Sequence, residues 1–130
     1  MSYYLSRKVG GSFDEAVARV TEELKKEGFG ILTEIDVKAT LKKKLDVDVR
    51  PYRILGACNP PLAHKALQAE DKIGLMLPCN VIVQELADGS VEVAAIDPVA
   101  SMQAVDNPAL TGIAGEVREK LARAVSSLAS

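Results

Sequence analysis

Five residues carry most of the chemistry available to this otherwise aliphatic chain: Cys58, Asn59, His64, Cys79 and Asn80. The tripeptides Cys58-Asn59-Pro60 and Pro78-Cys79-Asn80 hold both cysteines, and the only histidine lies six residues past the first. A thiolate is a soft ligand and a nucleophile, and an imidazole titrates near neutrality. Three chemistries follow. Cys58, His64 and Cys79 could form a zinc or copper set, with Met76 and Met102 as further soft donors for Cu(I). The two cysteines could instead form a reversible disulfide, or Cys58 and His64 a nucleophilic pair. Each competes with a plainer reading, because free cysteine is among the most buried residue types and a lone histidine is commonly a surface or packed residue.

Spacing weighs on each of these. The paired CxxC that makes a structural zinc site convincing is missing, and no fourth protein ligand is evident. Asn59-Pro60 reads as a helix cap followed by a first-turn proline, which sets Cys58 just before a helix amino terminus. Unsatisfied amides and the positive end of the helix dipole would favour a thiolate there. In that helix Ala63 is the closer neighbour of Cys58, so the geometry argues against a Cys58–His64 dyad. Asp97, Asp106 and Glu85 show no partner spacing, and turn or cap chemistry explains the first two. Gly10-Gly11-Ser12 is not a phosphate loop, because no GxxxxGK[ST] run accompanies it.

The elements that must position these residues are legible in outline. Residues 3–9 predict a strand. Ser12 and Glu15 form a capping-box signature for a helix carrying Phe13, Ala16, Val17, Val20 and Leu24 on one face, closed by Gly28. Ile31, Thr33, Ile35 and Val37 alternate with Glu34 and Asp36, the period of a strand with one wet face. A short basic helix with Lys38, Lys42, Lys43 and Lys44 follows, best read as a solvated face. Residues 49–58 predict a strand and Asn59 to about Glu70 a helix. Residues 74–86 and 90–96 predict a hairpin turning at Asp88-Gly89. Pro78 inside the first arm predicts an edge position or a bulge around Pro78-Cys79-Asn80. Asn107-Pro108 opens a long terminal helix whose apolar face runs from Leu110 to Leu128. The sum is an α+β domain with a mainly antiparallel sheet covered by helices.

Composition removes several classes of function. At 130 residues, 48% hydrophobic and 26% charged, the chain suits one folded domain spanning 1–130 and needs no disulfide framework. A net charge of -2 and 4% aromatics argue against nucleic acid, which demands unopposed basic patches or stacking platforms. No run suffices for a membrane span, no secretory signal opens the chain, and the two cysteines fit a reducing cytoplasm.

The stretches Tyr52 to Pro60, Ala63-His64-Lys65-Ala66-Leu67, Gly74 to Val81 and Ile96-Asp97-Pro98 resemble the domain-of-unknown-function 302 family, small bacterial stand-alone members in particular. The resemblance covers Tyr4 to about Leu121. It implies a curved antiparallel sheet packed against helices, similar to the TATA-binding-protein-like layout, and it implies homodimers. It implies no assigned reaction, substrate or cofactor. The expectation is therefore a non-enzymatic, cytosolic, homodimeric binding module with a small-ligand or soft-metal pocket at the two Cys-Asn motifs. A thiol-redox protein and a structural or interaction domain with core cysteines are the alternatives.

Overall fold

A computed structural model describes residues 2–129. Five strands, β1 (Tyr4–Val9), β2 (Gly30–Asp36), β3 (Tyr52–Cys58), β4 (Cys79–Glu85) and β5 (Val91–Ile96), form one open sheet in the order β1-β5-β4-β3-β2. Every neighbouring pair is antiparallel. Five α-helices accompany it: α1 (Phe13–Lys26), α2 (Val37–Leu45), α3 (Pro60–Ala69), α4 (Pro98–Ser101) and α5 (Pro108–Ser126). Two 3₁₀ turns, Ile73–Met76 and Met102–Ala104, complete the connections.

The α1 signals act as expected: the Ser12 hydroxyl accepts from the Glu15 amide, and the Glu15 carboxylate accepts from the Ser12 amide. Gly28, at φ +86°, takes the left-handed conformation that lets the chain leave the helix. Alternate residues of β4 and β5, Val81, Val83, Val91, Val93 and Ala95, join Ala16, Val20 and Leu24 of α1 and Leu121, Ala124 and Val125 of α5 in the main core. This core fixes the sheet against α1 and α5. It occupies one face of the sheet only.

On the other face Ala94, Ile82, Ile54 and Ile35 line up across four adjacent strands, flanked by Tyr4, Tyr52 and Ile96. Two expectations for β2 are corrected here. Pairing shifts between Ile31 and Thr33, so Leu32 is the extra residue of a bulge and the odd positions do not share one face. Val37 belongs to α2, whose nine residues include none that is buried.

The hairpin arm also differs from its prediction. Residues 73–76 form a 3₁₀ turn, the Leu77-Pro78 peptide is cis, and β4 begins only at Cys79. Pro78 therefore lies before the strand, and β4 is an interior strand paired in unbroken register with β3. The missing proline donor is accommodated by ending the ladder instead of by a bulge.

Candidate functional site

Cys58 ends β3 and Cys79 starts β4; Ala57 sits directly across the ladder from Cys79, so the cysteines are diagonal neighbours on adjacent strands. Both line a cleft of about 290 Å³ bounded by α3, α5 and the segment 77–79. Leu62, Ala63 and Ala66 of α3 and Ala114 and Val117 of α5 supply its apolar walls. The small residues of the facing helices leave the space that larger side chains would fill. Leu32, the bulged residue of β2, and Leu67 of α3 both line the cleft and are among the exposed hydrophobics.

Both thiols are free. Cys79 is buried, and that burial, with the nearby Cys58 charge adding to it, pushes its thiol up to about 11. It is protonated at neutral pH and is not a nucleophile in this state. Cys58 is half-buried. The free amides expected beside it are missing. Positions one and two of α3 are Pro60 and Pro61, which have no N–H, the Leu62 amide donates to Asn59 Oδ1 at 3.4 Å, and the Ala63 amide to the Asn59 carbonyl at 2.9 Å.

The remaining site candidates separate. Asn59 lines the cleft, but its side chain is occupied in joining elements: Oδ1 caps α3 and Nδ2 donates to the Glu27 carbonyl at the end of α1, 3.3 Å away. Asn80, one residue beyond Cys79 on the strand, points to the opposite face of the sheet, where it joins Tyr4, Tyr52 and Ile82 around a second hollow of about 400 Å³. His64 is exposed and does not line the cleft, whereas its neighbour Ala63 does. The proposed Cys58/His64/Cys79 metal set is therefore not assembled. Among the described residues no three His, Cys, Asp or Glu side chains are grouped to share a metal ion.

Met102 is the residue whose importance spacing underrated. It lines the same cleft from the 3₁₀ turn after α4. Asp97 caps α4, the helix that leads into that turn. Its carboxylate accepts from the Val99 and Ala100 amides at 3.0 and 3.4 Å and from Arg118 Nε of α5 at 2.9 Å. Burial drives this carboxyl upward, but Arg118 and the two amides outweigh it and hold it below its ordinary value. On the far side, Asn107 Nδ2 donates to the Ala69 carbonyl at 2.8 Å, tying the start of α5 to the end of α3. Met76, the other methionine considered, does not line the cleft.

The arrangement defines a class: a one-sheet α+β protein with an apolar, sulfur-bearing cleft where two adjacent strands meet two helices. Comparison places the chain more closely. The sequence profile described as "Domain of unknown function DUF302" matches residues 5–128, and the chain belongs to that family. Its structure is similar to the crystal structure of an uncharacterized conserved DUF302 protein from Bacillus stearothermophilus, with a TM-score of 0.90 and 29% identity, covering 97% of this chain and 98% of that one. A comparison with curated proteins finds no match.

Proposed function

We propose that the chain is a non-enzymatic binding module of the cytosol that acts as a homodimer and holds a small ligand in the cleft beside Cys58 and Cys79. The observation that carries this reading is the cleft itself. About 290 Å³ of space lies between apolar walls with few polar groups, the character of a preformed small-ligand pocket rather than of a catalytic centre. Free thiols suit a reducing compartment. Among the described residues no helix is long and apolar enough to cross a membrane.

The dimer rests on the uncovered sheet face. Five strands about 4.8 Å apart offer on the order of 500 Å² in projection, the scale of a modest interface, and its central row is aliphatic. A thiol-redox role is the second reading, favoured by the placement of the cysteines as diagonal neighbours on adjacent strands.

Titration with an environment-sensitive apolar dye tests the cleft. Saturable binding to the folded protein is expected, and Ala63→Phe, which fills the space from α3, abolishes it while leaving the thermal transition cooperative. Undiminished binding by the filled variant would show that the dye, and the proposed ligand, go elsewhere.

A further inference from the structure

The fold removes histidine from the sulfur cluster and puts a thioether in its place. Cys58, Cys79 and Met102 come from three different segments, the end of β3, the start of β4 and the turn after α4, and all three line one cleft. The other polar lining residue, Asn59, has its side chain engaged in capping α3 and holding α1. What this cleft presents to a ligand is therefore sulfur and hydrocarbon.

Donors of this kind select among metals. Thiolate and thioether are soft ligands suited to Cu(I), whereas zinc sites require four nitrogen, oxygen or sulfur donors arranged tetrahedrally. Here the fourth donor and the imidazole are both missing from the cleft. Cys58 and Cys79 are one residue out of register on neighbouring strands, and both line the cleft where β3 ends and β4 begins. The apolar walls offer no hard donors to compete for the ion.

We propose that Cys58, Cys79 and Met102 form a low-coordinate, all-sulfur site for Cu(I). This rests on the reading of the cleft as the ligand site and names the ligand class. Each cysteine that binds releases its thiol proton to solvent, the methionine donates a lone pair, and copper stays in the +1 state throughout, so no oxidant is consumed.

The test uses the reduced full chain, Cu(I) kept reduced by ascorbate, and competition with a coloured Cu(I) chelator. One copper per chain is expected, with X-ray absorption showing sulfur neighbours only. Loss of a second-sphere group already costs about 10- to 100-fold in metal affinity, so Cys58→Ser should cost at least about 100-fold and Met102→Leu about tenfold. His64→Ala should change nothing. Should Cys79→Ser fail to fold, Cys58→Ser and Met102→Leu still decide. No tight copper, nitrogen or oxygen neighbours in the absorption spectrum, or full affinity retained by both variants would overturn the assignment. The apolar dye separates the two claims. Dye binding without copper binding sinks the copper site and leaves the cleft as a ligand pocket, while loss of both sinks the cleft as well.

Discussion

The two cysteines have sequence contexts that look alike and physical environments that differ. Cys79 faces the core, where removing its thiol from water penalises the thiolate, and a nearby Cys58 charge would penalise it further. Its thiol lies near 11, so it is protonated at pH 8 and gains reactivity only as the pH climbs toward that value. Iodoacetamide at pH 8 followed by mass spectrometry should therefore label half-buried Cys58 in the native protein and leave Cys79 unmodified until denaturant is added. Equal labelling of both in the native state would show that Cys79 is not held in the core. The Asn-Pro-Pro start of α3 leaves no free amide at its tip to face Cys58, because two prolines have no N–H and the next two amides bond Asn59.

At the level of elements, what was legible depended on whether the signal was local. The capping box at Ser12, the Asn-Pro starts of α3 and α5, and the aliphatic stripe of α5 specify helices through neighbours within one turn, and the structure contains each. The β2 bulge and the late start of β4 depend on strand pairing, which residue alternation does not encode. The site divided in the same way. Pairing of β3 with β4 makes Cys58 and Cys79 diagonal neighbours that line one cleft, whereas His64 stays on the exposed side of α3 and Asn80 lines the hollow on the other face of the sheet. Spacing alone makes Met102 no more than a loose soft donor, because its approach depends on the Asp97–Arg118 tie between the start of α4 and α5. Leu32 carried an unused signal: an aliphatic residue where the strand pattern called for a wet face.

Gly56 shows how closely these elements meet. A Cβ at this position of β3 would overlap Thr33 of β2 and Pro78 of the segment before β4. Pro78 lines the cleft, so the glycine lets three segments converge beside the cysteines. Gly56→Ala should destabilise the fold by about 1–3 kcal/mol, the usual cost of overpacking, measured as a lowered midpoint in urea unfolding. Adding Thr33→Gly should restore part of the loss by removing the nearer obstacle. An unchanged midpoint for the single variant would mean that the strands are not so tightly apposed.

For the whole molecule, the helices are unequal in what holds them. α1 and α5 are anchored by the core, while α2 contributes no buried residue and leaves Leu45 exposed at its end. A nine-residue helix is too short to persist on intrinsic propensity, since isolated helices shorter than about 12 to 15 residues are marginal in water. Its amides should consequently exchange with deuterium through local opening, without waiting for the sheet to unfold. If a second chain covers the open face beside α2, that opening becomes a mass-action equilibrium. Exchange in residues 37–45 should slow as protein concentration rises, and Ile82→Lys, which puts a charge into the aliphatic row, should remove the concentration dependence. Exchange that is fast at every concentration would leave α2 as a segment whose order is independent of association. Where the dependence holds, the helix reports assembly directly, and its melting would precede that of the sheet as the protein is diluted.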